Sequence, residues 1–160
     1  MGKNIVKLAF MVGISLVAGF IGSIFTTMSI KTWYPTLVKP AFSPPDWLFG
    51  PVWTTLFVLM GIAAFLIWKQ NEDFIKERPV KTALSIFFLQ LILNISWSAV
   101  FFGLQSIVGG LIVLVILWFA ILATMLQFFS LCKTAGWLLL PYLLWVTFAG
   151  VLNATFYYLN

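Results

Sequence analysis

Five apolar stretches, at about 8–28, 47–68, 83–103, 107–131 and 137–158, divide the 160 residues, with mostly short polar connections between them. Each reaches or exceeds the roughly 20 residues that carry a helix across bilayer hydrocarbon. A barrel strand would run for about 10 residues of strict alternation, whereas LIVLVILWFAILATML is apolar throughout. Lipid offers the backbone no hydrogen-bond partners, so runs of this length satisfy their own as helices. The pattern predicts an all-α membrane protein, a five-transmembrane-helix bundle with a long structured loop between helices 1 and 2, as a single transmembrane domain over 1–160.

Two connections depart from the short polar norm. The segment 31–46, most of it in TWYPTLVKPAFSPPDW at 32–47, has too many prolines for a helix and too many aromatic and aliphatic residues for a solvated loop. It is expected to fold back onto the bundle. Its end reads as a helix start, with Ser43 as N-cap, Pro44 at the first helical position and Asp46 near the positive helix end. Pro51 then falls in the first turns of the second span, where a missing backbone donor can bend the helix and aim Trp53. The other exception, KQNEDFIKERPVK at 69–81, reads as a solvated loop of mixed charge.

Composition agrees with the pattern: 62% of residues are hydrophobic and 8% charged, against about 25% charged in soluble domains. With no histidine and a single cysteine, Cys132, the chain lacks the usual zinc, haem and proton-shuttle ligands and cannot form an internal disulfide. No metal is expected. The net charge of +5 is distributed over the connections and gives no sign of a nucleic-acid partner. Lys3, Lys7, Lys69, Lys76, Arg78, Lys81 and Lys133 fall on one side of a five-span arrangement, with Lys31 and Lys39 on the other. The N-terminus is therefore expected in the cytoplasm and the C-terminus outside. Lys3 and Lys7 also give the first span the look of a signal peptide, but it exceeds a typical apolar signal core and no small-residue cleavage pattern ends it, so it is expected to stay. The glycosylation patterns at Asn94 and Asn153 fall inside spans and are chance matches.

Polar side chains inside spans mark the first places to look for function. On the third span Gln90, Asn94, Trp97 and Phe101 share one helical face; on the fifth, Pro141, Trp145, Ala149 and Asn153 recur every four residues; Trp53 and Phe57 do the same on the second. Trp47, Trp68 and Trp137 lie at span ends, as interface tryptophans do. Trp53, Trp97 and Trp145 lie deeper, and Trp118 is read as facing lipid. These stripes allow two readings: helices held by interhelical amide bonds and small-residue packing, or a pocket for a large flat apolar ligand bearing a few polar groups. No charged residue lies deep in a span, which argues against an ion-coupled transporter.

Three ordered motifs carry a family resemblance that supports the second reading: WYPTLVKPAFSPPDWLFGPVW at 33–53, LNISWSAVFFG at 93–103 and PYLLWVTFAGVLN at 141–153. Over nearly its whole length the chain resembles the TspO/translocator protein family, also called tryptophan-rich sensory proteins or peripheral benzodiazepine receptors. The resemblance implies a homodimeric five-helix receptor or transporter-like protein with a sensory or stress-related role. It implies no obligatory cofactor, and as ligands protoporphyrin IX or a haem-like tetrapyrrole and other planar lipophiles. By motif, the ligand-lining residues would be Tyr34, Pro44, Pro45, Trp53, Phe57, Asn94, Trp97, Trp145, Ala149 and Leu152, with the loop before the second helix as a lid. An alternative drawn from the same resemblance is light- and oxygen-dependent degradation of bound protoporphyrin IX, with Trp53 and Trp145 as catalytic participants. Two departures stand out. The C-terminal VLNATFYYLN lacks the basic residue of the cholesterol pattern, which puts high-affinity cholesterol binding in doubt and points to a bacterial cytoplasmic membrane. ALSIFF at 83–88 lacks the small residues four apart that serve some relatives as a dimer contact. Ser15 with Gly19, Ala18 with Gly22, or Gly109 and Gly110 could replace them, or could pack helices within one subunit.

Overall fold

The computed structural model describes residues 2–70 and 77–160. Its helices are α1 (Gly2–Ser29), α2 (Asp46–Lys69), α3 (Glu77–Ser98), α4 (Ile107–Leu131) and α5 (Lys133–Leu159). All five are long and apolar enough to cross a membrane, α3 together with the wider turn that follows it. Several outrun the apolar stretches that predicted them, because polar end residues continue the same backbone pattern. Thus residues 77–81, expected in the solvated loop, form the first turn of α3. There Glu77 accepts from Lys81 one turn later, and Pro79 falls in the first turn, where its missing donor costs nothing. Lys76 and the middle of that connector lie outside the described residues.

The helices alternate in direction. Lys7 near the start of α1 lies over the Trp68 ring at the end of α2 (5.5 Å), and the Ser29 hydroxyl at the end of α1 donates to the carbonyl of Phe102 beyond the end of α3 (2.6 Å). α2 packs on α1, α3 and α5, and α4 on α3 and α5. α1 approaches α2 closely at Gly61, where a Cβ would lie 2.5 Å from the Val12 Cα; small residues permit this kind of backbone approach in lipid. The main core gathers Met60, Ile67, Phe87, Leu117, Ile121, Phe128 and Leu139, all at most 1% exposed. Phe10, Val17, Ile112, Phe119 and Leu144 are exposed outward from different helices, as a lipid-facing surface requires.

Two local features differ from the expectation. α2 begins at Asp46 with Pro45 as the extended residue before it, and the Ser43 hydroxyl caps nothing. A residue preceding proline is driven out of the helical region, so Pro44 cannot occupy a first helical position when Pro45 follows. The end of α3 is not regular: Ala99–Gly103 forms a π-helical turn, with the Leu104 amide reaching back to the Ala99 carbonyl (2.9 Å). The widened turn brings the consecutive residues Phe101 and Phe102 both inward, where they are buried. Such turns recur at functional sites. The chain then reverses through Gln105, at φ 52°, into α4, which Ser106 caps by accepting from the Gly109 amide.

Candidate functional site

A cavity of about 400 Å³ lies between α1, α2 and α3 beneath the loop that follows α1. Its α2 wall is a single helical face, Asp46, Phe49, Gly50, Trp53, Thr54 and Phe57. Steps of three and four keep these side chains in line. Asn94, Trp97 and Ser98 of α3 with Phe102 of the turn beyond it form one side, and the α1 wall runs from Leu16 through Gly19, Phe20 and Ser23 to Thr26, with Ile30 just past the helix end.

A ladder of near-parallel rings runs from the main cavity, lined by Phe57, Trp53 and Trp97, to Phe101, which lines a smaller neighbouring space. Phe57, Trp53, Trp97 and Phe101 follow one another at centroid distances of 5.7, 6.3 and 5.6 Å and interplanar angles of 29°, 28° and 21°. Offset, near-parallel rings are a favourable aromatic arrangement and present flat faces. At the floor the Asn94 amide donates to the Tyr142 hydroxyl (2.9 Å), joining α3 to α5, and Trp53 packs edge-on against the same phenol (6.2 Å).

The loop over the cavity is fastened on two sides. Tyr34, 5% exposed, inserts between Phe102 and Phe156 at 5.8 and 5.6 Å. Lys39 lies over the Tyr34 ring at 4.5 Å and pairs with Asp46 at 3.2 Å. On the α5 side, the Val38 amide donates to Asn160 Oδ1 (2.9 Å) and the Val38 carbonyl accepts from Asn160 Nδ2 (3.3 Å). Burial raises the Tyr34 phenol above its ordinary value of 10.0; the Ser43 hydroxyl beside it opposes this and the Asp46 charge adds to it. Among the described residues Ser43 Oγ reaches hydrogen-bond geometry with no partner, so burial dominates.

A second, smaller space of about 40 Å³ adjoins the first on the α5 side, lined by Trp145, Ala149, Leu152, Asn153 and Phe156. The two share Tyr34, Phe49, Trp53, Trp97 and Phe102 as lining. Phe49 meets the Trp145 ring edge-on at 5.8 Å. The indole N–H groups of Trp97 and Trp145 are buried and, among the described residues, have no acceptor. An unmet buried donor is costly, so each is an unsatisfied polar group within the bundle beside the cavities.

The TspO/MBR family model matches residues 11–159. The chain is 48% identical to the tryptophan-rich protein TspO of Chlorobaculum tepidum over 164 aligned residues, covering 100% of this chain and 99% of that one. It is 44% identical to the tryptophan-rich protein TspO of Archaeoglobus fulgidus, covering 98% and 99%. With the human translocator protein it shares 37% identity over 84% of this chain and 78% of the relative. The chain belongs to the TspO/MBR family. Membership and five membrane-length helices together make it an integral membrane protein.

Of the ten positions expected from the TspO motifs, Tyr34, Trp53, Phe57, Asn94 and Trp97 line the main cavity, while Trp145, Ala149 and Leu152 line the smaller one. Pro44 and Pro45 line neither; they shape the turn into α2. The third-span stripe divides in its roles. Gln90, 1% exposed, has Met60 Sδ as its neighbour at 3.8 Å and faces α2 below the cavity. Asn153 faces α4: with its amide nitrogen and oxygen exchanged, it donates to the Ile107 carbonyl (3.0 Å) and accepts from the Leu111 amide (3.3 Å). Pro141 is exposed, and Trp118, read as facing lipid, donates to the Thr147 hydroxyl on α5 (2.8 Å).

Sequence reasoning missed the whole α1 wall, together with Phe49, Ser98 and Phe102. Gly19 and Gly22, considered either for subunit contacts or for packing within one subunit, give room for the Phe57 ring and for Ser98. Ser15 and Ala18 are buried within the chain, and Gly110 packs against Phe101 and Asn153. A usable signal was present: Gly19, Gly22, Ser23 and Thr26 form a run of small and hydroxyl residues on one side of an otherwise bulky apolar span.

Proposed function

We propose that this chain is a membrane receptor or transporter-like protein that binds tetrapyrroles such as protoporphyrin IX, and similar planar lipophiles, between its helices, in a sensory or stress-related role. The observation carrying this reading is the parallel Phe57, Trp53, Trp97 and Phe101 ladder beside a cavity of about 400 Å³ with the Asn94 amide at its floor. Flat rings stack on planar ligands and a few fixed polar groups orient them, in a volume within the usual ligand-pocket range. Relatives named translocator protein and tryptophan-rich sensory protein agree with a binding or sensing role. The decisive measurement is a titration of the purified protein with protoporphyrin IX followed by tryptophan fluorescence. Saturable quenching is expected; quenching that rises linearly, as for free tryptophan, would remove this reading.

A second reading, photo-oxidative degradation of bound porphyrin, is favoured by one feature. Trp53 lines both cavities and so would touch a ligand extending through either. The same proposal includes a homodimer in a bacterial cytoplasmic membrane, with the N-terminus in the cytoplasm, a placement that the bias of basic residues supports. The small-residue stripes already pack within the subunit, so the partner would meet another face.

A further inference from the structure

We propose that the main cavity receives its ligand from the hydrocarbon of the bilayer, through a slot between α1 and α2, and not from water past the lid. This rests on the binding reading above and adds the ligand's class: lipophiles that partition into the membrane before they bind.

The exposure of the lining places the opening. Its exposed members are Leu16, Phe20 and Ser23 on α1 and Asp46, Gly50 and Thr54 on α2. Those of the lid and of α3 are buried or half-buried: Tyr34, Asn94, Trp97, Ser98 and Phe102. The mouth therefore follows the seam between the first two helices. Leu16 lies midway along α1, about 20 Å of helical rise from Ser29, so the deep end of the slot lies within the roughly 30 Å of bilayer hydrocarbon.

The chemistry of the rim matches that depth. The hydroxyls of Ser23 and Thr54 donate to the carbonyls of Phe20 (2.7 Å) and Gly50 (2.9 Å) in their own helices. What they present to the slot is therefore mostly carbon. The charge at the mouth, Asp46, lies at the outer end of α2 and is paired with Lys39. At Gly50 an added Cβ would meet nothing within 4 Å, which leaves that edge open. On the water side the opposite holds. Tyr34 is packed between aromatic rings, Lys39 bridges to Asp46, and Asn160 holds both backbone groups of Val38. A planar molecule dissolved in the outer half of the bilayer meets an apolar slot, whereas one in water meets a fastened lid.

The test uses the full chain in lipid vesicles with protoporphyrin IX as probe, measuring the rate of tryptophan quenching after rapid mixing alongside the equilibrium titration. Gly50→Phe narrows the slot from α2 and Ser23→Phe narrows it independently from α1, with helicity checked by circular dichroism. Each rim variant is expected to slow association about tenfold, while Asn160→Ala, which loosens the lid, leaves the rate within about twofold. Wild-type rates in both rim variants, or faster association in Asn160→Ala, would overturn the slot while leaving binding intact. Absence of saturable quenching in the unaltered protein would instead overturn the binding reading, and the slot with it.

Discussion

Asn94 on α3 donates to the phenol oxygen of Tyr142 on α5 across 2.9 Å, with both residues buried. The bond closes the floor of the main cavity and ties together two helices that are not sequence neighbours. Tyr142→Phe keeps the ring and its edge contact with Trp53 but leaves the Asn94 amide unmet in an apolar surrounding. A loss of about 1–2 kcal/mol in stability is expected from such an orphaned group. Thermal unfolding in detergent measures it; an unchanged melting temperature would show that the bond contributes nothing net.

The ring ladder makes a graded prediction. Trp53→Ala removes the ring between Phe57 and Trp97 and should weaken protoporphyrin IX binding by roughly ten- to a hundredfold, as loss of a central aromatic anchor does. Trp137→Ala, at an exposed position against Phe129, should leave the affinity within about twofold. Equal losses in both variants would mean that quenching reports general apolar adsorption.

Illumination separates the two tryptophans proposed to take part in degradation. Trp53 reaches both cavities, whereas Trp145 lines the smaller one. Under light and oxygen, Trp53→Phe is expected to slow the absorbance loss of bound protoporphyrin IX more than Trp145→Phe does. If the unaltered protein bleaches the porphyrin no faster in light than in the dark, the degradative reading fails.

The lid is held by its attachment to α5. Asn160→Ala deletes both side-chain bonds to Val38 and should raise hydrogen exchange across residues 31–45 without changing it in the α2 and α3 core. Local opening of this kind is what exchange detects. Exchange spread evenly over the helices would indicate a global effect.

Alkaline pH should loosen the same lid. Because burial raises the Tyr34 phenol above its ordinary value of 10.0, the folded lid holds that proton more tightly than the unfolded chain. Its stabilising contribution is complete below the ordinary tyrosine value and is lost as pH climbs through the folded one. Lid exchange corrected for intrinsic rates should be flat between about pH 6 and pH 9 and rise above that range. Tyr34→Phe should abolish the alkaline rise; its persistence would assign the effect to another group.

Run length and helical spacing carried much of this protein into view. A stretch such as 107–131 can satisfy its backbone in lipid in one way, so its helical state was legible without any knowledge of its neighbours. Steps of three and four likewise placed Trp53 with Phe57 and Asn94 with Trp97 before any contact was seen. The double proline misled because the rule about the residue before a proline outweighs the helix-start preference of Pro44. The π-helical turn at Ala99–Gly103 has no plain sequence mark, since it depends on what Phe101 and Phe102 pack against.

Local rules thus settled that five helices cross the membrane and which side chains share a face of each. They did not settle which faces meet. That Gly19 and Gly22 make room for Phe57 and Ser98, that Gln90 faces Met60 while Asn94 reaches Tyr142, and that Asn160 holds Val38 all depend on partners far along the chain. Helical periodicity is a property of one segment, whereas a cavity is the space left when several segments pack. Its walls exist only after the crossing of α1, α2 and α3 has been set by close approaches such as Gly61 on Val12.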